Sequence, residues 1–222
     1  MSTFAVVPVK SLLKSKTRLS NSFTFQERSL FTLAMLQDVL NALKSSKVNK
    51  TVVVSSDLTV EEFVKNFGMA FLKEAQEGLN QALNQATKWC VRNAAEWVLA
   101  LPADVPLITS KDVNQLVKLA LNNSVVISPS RNGGTNALLQ TPPGVISPCF
   151  GLDSFKNHIC EALAKNVRTK IYVSSNVMLD IDSEKDLEQL IKVSRQTASH
   201  RFLKQSSWSK TCRQADPCNK KA

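Results

Sequence analysis

Three acidic residues are the part of this chain best suited to chemistry. Asp104 stands in Leu101-Pro102-Ala103-Asp104-Val105-Pro106-Leu107, held between two prolines that fix the local backbone. The segment follows an apolar run, residues 97–101, that reads as a short buried strand. Ligands of open α/β sheets bind at the carboxyl ends of the strands. A carboxylate at such an end can hold a metal ion together with a phosphate; the competing use is capping of the next helix, for which Asp is favoured. Asp180 and Asp182, in Leu179-Asp180-Ile181-Asp182, are spaced i, i+2. On an extended backbone both side chains then point to one side. Two such carboxylates repel, and a divalent cation between them removes the repulsion. N-capping of the following helix is the alternative for Asp182, and it leaves Asp180 unexplained.

Cations and small residues supply the complementary groups. Lys10, Lys14, Lys16 and Arg18 crowd the loop after the first apolar run. That loop has no glycine, so it is neither a P-loop nor a G-x-G-x-x-G turn. It can still grip a triphosphate, Lys as a point charge and Arg as a fork, although a solvated basic loop is the commoner outcome. Gly78 and Asn80 sit where a helix begins, and free backbone N–H groups and an amide there can meet a base or phosphate; simple capping by Asn80 is the plainer reading. Arg131-Asn132-Gly133-Gly134-Thr135-Asn136 offers a nest of N–H groups with Thr135 and Arg131 beside it, or an ordinary hairpin turn. Gly151 and Ser154 precede another helix and offer a further anion site. His158, inside that helix, reads as a surface or packing residue. The only other histidine is His200, which argues against a Ser–His or Cys–His nucleophile system.

The elements that must position these groups alternate. Compact apolar runs at residues 4–9, 51–54, 69–72, 97–101 and 125–128 read as strands. Thr24-Phe25-Gln26-Glu27 has the form of a capping box and opens a helix with apolar residues at helical spacing from Leu30 to Leu43. Asp57 starts a turn or caps a short helix over 60–67. Further helical patterns run through Leu83 to Cys90, Val113 to Leu119, Phe155 to Leu163 and Leu187 to Ile191.

The 222 residues suffice for one domain with a sizeable core, expected over residues 1–205. Most of the formal net charge of +10 lies from Arg195 onward, where seven Lys/Arg face a single acid. The body is therefore only mildly basic. Residues 206–222 are expected to form a disordered basic tail. Nucleic acid is disfavoured as a partner, although a non-catalytic protein binding nucleic acid through that tail is a competing reading. Five cysteines form no C-x-x-C pair, as expected of free thiols in a reducing compartment. No run approaches membrane-spanning length, and a cytoplasmic protein is expected.

Taken in order, Pro8-Val9-Lys10 with Lys16-Thr17-Arg18-Leu19-Ser20, Gly78-Leu79-Asn80, Leu101 to Leu107, Gly133 to Leu138, Phe150-Gly151-x-x-Ser154-Phe155 with His158, and Leu179 to Asp182 resemble one family. It is the 2-phospho-L-lactate guanylyltransferases of coenzyme F420 biosynthesis, and the likeness covers roughly residues 3 to 190. The resemblance implies a Rossmann-like three-layer α/β/α sandwich with a mixed sheet, of nucleotide-diphosphosugar transferase type. It implies transfer of GMP from GTP to 2-phospho-L-lactate, with release of pyrophosphate. It implies Mg²⁺, or Mn²⁺, held by Asp104, Asp180 and Asp182, and the phospho-acid held by Thr135, Gly151 and Ser154. Lys10, Lys16 and Arg18 would meet the GTP phosphates, and Gly78 and Asn80 would lie near the nucleoside. The chain departs from the family pattern at Ser130, Cys149, Leu152-Asp153 and Met178, all towards the acid end. That leaves the acid open among 2-phospholactate, phosphoenolpyruvate and 3-phosphoglycerate. Another nucleotidyltransferase of the same fold, with a different triphosphate or acceptor, is the alternative. The oligomeric state is open, a homodimer included.

Overall fold

The computed structural model describes residues 1–209. Seven strands form one sheet: β1 (Thr3–Pro8), β2 (Lys50–Ser55), β3 (Ala70–Lys73), β4 (Trp97–Ala100), β5 (Val125–Pro129), β6 (Thr135–Gln140) and β7 (Thr169–Ile171). Their order across the sheet is β3-β2-β1-β4-β6-β5-β7. All neighbours pair in parallel except β6, which runs antiparallel to both β4 and β5. The reversal has a functional consequence. It turns the first residues of β6, Thr135 and Asn136, towards the carboxyl ends of the parallel strands. Neither β6 nor β7 was expected as a strand: β6 lies just behind the Gly133-Gly134 turn, and β7 is only three residues long.

Apolar side chains alternate along the strands and so load both sheet faces. On one face Ala5, Val7, Val53, Leu99 and Val126 pack against α1 (Phe25–Lys44), α2 (Leu58–Asn66) and α4 (Ser110–Ala120). On the other, Val6, Val54, Val98 and Ile127 pack against α3 (Leu79–Arg92) and α5 (Ser154–Ala164). These are the three layers. The expected capping box is formed by Thr24 with Glu27 on α1, and a second box, Thr109 with Asp112, opens α4. Asp57 caps α2 through its Oδ1, which accepts from the Thr59 and Val60 amides. Its Oδ2 accepts from the Leu12 amide at 2.9 Å, tying down the cationic loop after β1.

Three further helices follow: α6 (Ser175–Met178), α7 (Glu184–Lys192) and α8 (Ala198–Gln205). The amino end of α8 is capped from α1, where the Asp38 carboxylate accepts from the Ala198 and Ser199 amides. Residues 206–209, assigned to the tail from sequence, are packed: Trp208 is buried and the Ser207 hydroxyl donates to Glu27 at 2.6 Å. The remainder of that expected tail, residues 210–222, lies outside the described residues. Among the described residues no helix is long and apolar enough to cross a membrane.

Candidate active site

A third apolar cluster gathers the charged segments. Leu19, Leu107, Leu179 and Ile181 are all buried in it, together with Phe23, Phe31 and Met35. Leu19 follows Arg18, Leu107 lies three residues past Asp104, and Leu179 and Ile181 alternate with Asp180 and Asp182. Burying one set of side chains in common forces their charged neighbours towards one place. The alternation works as the i, i+2 spacing predicts, although residues 179–182 belong to no strand. One backbone bond staples the two acidic segments: the Ile181 amide donates to the Asp104 carbonyl at 3.0 Å. Arg195 fixes the loop beyond Asp104, with Nη2 within reach of the carbonyls of Pro106, Leu107 and Ile108, closest to Leu107 at 2.5 Å. Capping is not what either acid does. Thr109 caps α4 and Ser183, boxed with Asp186, caps α7, so Asp104 and Asp182 are released for the site.

At the centre of this place stands the Lys16 ammonium. Lys16 is held in a left-handed conformation at φ 47° between two short 3-10 turns, Leu12–Lys14 and Thr17–Leu19. Its side chain is only 8% exposed, and Nζ donates to Asp104 at 2.7 Å and to Asp182 at 2.8 Å. Burial opposes the charge on Lys16, but the two carboxylates outweigh it and hold the ammonium pKa above its ordinary value. Burial likewise opposes the charge on Asp182. There Lys16, with Arg18 and Lys10 adding to it, wins and lowers the carboxyl pKa. Lys10 and Arg18, both exposed, therefore face the same carboxylate. Asp180 behaves in the opposite way: burial first, then the charges of Asp104 and Asp182, push its pKa up, against a 3.2 Å bond from the Asn136 amide. Lys14 is not part of this group and pairs with exposed Glu77.

The donor set bears on whether a metal fits. Three carboxylates on adjoining segments, one of them buried beside the other two, are donors of the type a hard cation such as Mg²⁺ takes. Among the described residues no group of three acidic, histidine or cysteine side chains is closed to metal-ligand spacing, and the Lys16 ammonium bridges two of the three carboxylates. The three carboxylates are hard oxygen donors of the kind a divalent ion takes, while Lys16 occupies the space between two of them.

The second half of the site is neutral. Thr135 opens β6 and Ser154 opens α5; both are buried, and the Ser154 hydroxyl donates to Thr135 Oγ1 at 3.3 Å. Gly151, at φ 133°, makes the turn into α5. The Gly133-Gly134 segment is a hairpin turn rather than an open nest: the Gly134 amide donates to Ser130 Oγ at 2.9 Å. Asn80 does not cap α3, whose N-cap is Gly78. Its amide instead clamps Phe150, accepting from the Phe150 N–H at 2.9 Å and donating to its carbonyl at 3.1 Å. The start of α3 and the segment before α5 are thus tied together. The setting of Cys149 disfavours its thiolate. Burial and then Glu161, which the thiol meets at 3.2 Å, push its pKa up.

Two members of the site were missed from sequence. His158 is fully buried and bonded to Thr135 Oγ1 at 3.0 Å; its position four residues after Ser154 puts both on one helix face, which was the available signal. Asn136 joins Val177 and Asp180. It follows Thr135 on β6, so the strand sends one residue to each half of the site.

A seven-stranded mixed sheet between helical layers, with a charged cluster at the carboxyl ends of its strands, is an α/β architecture of the nucleotide-diphospho-sugar transferase type. Solved structures agree on the fold. A provisionally named nucleotide-diphospho-sugar transferase from Desulfovibrio desulfuricans G20 superposes with a TM-score of 0.81 at 18% identity, covering 97% of this chain and 99% of its own. A cytidylyltransferase from Leptospira borgpetersenii superposes with a TM-score of 0.61 at 18% identity, covering 97% and 98%. Residues 3–218 match the family model described as guanylyl transferase CofC like, and the chain belongs to that family. It is 41% identical over 192 residues to a phosphoenolpyruvate guanylyltransferase of Rubrobacter xylanophilus, covering 86% of this chain and 94% of the relative. It is 36% identical over 205 residues to a 2-phospho-L-lactate guanylyltransferase of Methanothermobacter thermautotrophicus, covering 92% and 91%.

Proposed function

We propose that this enzyme joins the GMP moiety of GTP to a small phosphorylated carboxylic acid, 2-phospho-L-lactate, phosphoenolpyruvate or 3-phosphoglycerate. A phosphate oxygen of the acid attacks the α-phosphorus of GTP; the bond from that phosphorus to the bridging oxygen breaks, and pyrophosphate leaves. With 2-phospho-L-lactate the product is lactyl-2-diphospho-5'-guanosine, the precursor used in coenzyme F420 biosynthesis. The observation that carries the reading is the Lys16 ammonium held between Asp104 and Asp182 at the carboxyl ends of the strands.

The reaction asks for positioning of two polyanions and neutralisation of developing charge rather than for a nucleophile. Lys10, Lys16 and Arg18 meet the triphosphate, with Arg18 offering a fork and the two lysines point charges. Asp104, Asp180 and Asp182 would hold Mg²⁺ or Mn²⁺, which when bound neutralises phosphate oxygens. Thr135 and Ser154 hydroxyls, with the backbone at Gly151, hold the acid. Gly78 lies beside the nucleoside, and Asn80 fixes the backbone between nucleoside and acid.

Pyrophosphate release tests this. The purified protein is incubated with Mg²⁺, GTP or CTP, and each of the three acids. Release with GTP and at least one acid is expected. Release with CTP alone, or none with GTP and any acid, would refute the guanylyltransferase reading.

A further inference from the structure

His158 has both ring nitrogens engaged inside the protein, and the engagement fixes its tautomer. The Cys149 backbone N–H donates to Nε2 at 2.8 Å. A backbone amide has only a proton to give, so Nε2 is bare and the neutral ring carries its proton on Nδ1. Burial lowers the ring's pKa to about 4 and keeps it neutral, outweighing the Glu161 charge and the Ser154 backbone, which both pull the other way. Nδ1 lies 3.0 Å from Thr135 Oγ1, so the ring donates to the threonine. The Ser154 hydroxyl also donates to Thr135 Oγ1, at 3.3 Å. With two donors arriving at one oxygen, the proton of Thr135 itself has to point elsewhere. Under the opposite tautomer Nδ1 would accept that proton, and the pair would present no donor.

We propose that His158 is a positioning residue: by donating through Nδ1 it forces the Thr135–Ser154 hydroxyl pair to present a proton outward, making that half of the site a donor to the anionic oxygens of the acid substrate. The inference rests on the assignment of Thr135 and Ser154 to the acid. The supporting frame is rigid. Phe150 packs edge-on against the imidazole, with ring centroids 4.9 Å apart, and Asn80 clamps the Phe150 backbone on both sides. Glu161, on the next turn of α5, accepts from the Ser147 amide at 2.8 Å and holds the strand of loop that carries Cys149.

Two measurements test it. In ¹⁵N-histidine-labelled protein at pH 7, long-range proton–nitrogen spectra should show one ring as the neutral Nδ1–H tautomer, absent in His158→Asn, which separates it from His200. An Nε2–H tautomer or an imidazolium at His158 would overturn the proposal whatever the activity. In steady-state assays, His158→Phe should raise the KM for the acid about tenfold, the scale of one buried donor lost, and leave the KM for GTP within about twofold. His158→Asn, whose amide N–H can replace Nδ1–H, should recover most of the loss, and His158→Gln should not. Adding His158→Phe to Thr135→Val should cost nothing further, because the histidine acts through that hydroxyl. Equal rises in both KM values, additive losses, or rescue by Gln in place of Asn would each overturn it. If the wild type turns over no phospho-acid, the functional assignment fails on its own account, and the spectra still decide the tautomer.

Discussion

The two halves of the site are built on opposite principles. At Lys16 and Asp182 the burial cost of the charge is offset by opposite charge, and at Asp180 the balance tips the other way. Thr135, Ser154 and His158 meet as uncharged groups, and their orientation comes from a chain of buried hydrogen bonds. The charged half suits a ligand that brings its own charge and counter-ion. The neutral half suits discrimination by shape among ligands of one charge, because hydrogen-bond directions are stricter than Coulomb attraction. β6 serves both, with Thr135 on one side and Asn136 on the other.

The comparison predicts a graded response to substitution. Asp104→Asn should lower turnover about a thousandfold while circular dichroism stays native, since it removes charge at the point of transfer; a rate within a few-fold of wild type would remove Asp104 from the site. Lys16→Met should lower kcat/KM about a hundredfold, because Asp104 and Asp182 lose the cation they share. An unchanged value would make the ion pairs purely structural.

How far the sequence reveals these halves differs as well. The charged half is legible because its residues are unusual in their setting: Asp between prolines after an apolar run, two acids spaced i, i+2 among leucine and isoleucine, four cations in one loop. Lys16 stands out from Lys14 only in the fold, where one is buried between carboxylates and the other pairs with Glu77 in solvent. The neutral half is hard to read because its bonds join residues far apart in the chain. His158 reaches Thr135, and Asn80 reaches Phe150 across 70 positions. An isolated threonine, asparagine or histidine gives no local pattern for this. The strands show the same divide: long apolar runs are visible, whereas β6 begins Thr-Asn behind a glycine turn and only its partners β4 and β5 make it a strand.

Smaller effects sharpen the contrast. Arg18→Lys should raise the KM for GTP several-fold and leave that for the acid unchanged, as a point charge replaces a fork; unchanged GTP kinetics would remove Arg18 from the triphosphate. His158 should leave a pH signature in stability. Its folded pKa of about 4 lies below the unfolded value near 6.5, so the unfolded chain takes up the proton first. Stability from this group is intact above about pH 6.5 and is lost as pH falls towards 4, by up to about 3 kcal/mol. Urea midpoints of wild type and His158→Gln should therefore converge over that range, and parallel curves would contradict the assignment. Lys14→Ala should change neither KM, because its exposed pairing with Glu77 lies outside the site; a GTP effect comparable to that of Arg18 would extend the charged half to Lys14.

The central claim is that the carboxylates at positions 104, 180 and 182 and the ammonium of Lys16 form one triphosphate-and-metal locus. It is tested most directly by anomalous scattering from a crystal grown with Mn²⁺ and a non-hydrolysable GTP analogue. The account predicts a manganese peak bonded to oxygens of Asp104 and at least one of Asp180 and Asp182, with Lys16 Nζ against the analogue's phosphates. A bound analogue with both Lys16–carboxylate pairs intact and manganese bonded to none of the three acids would contradict it.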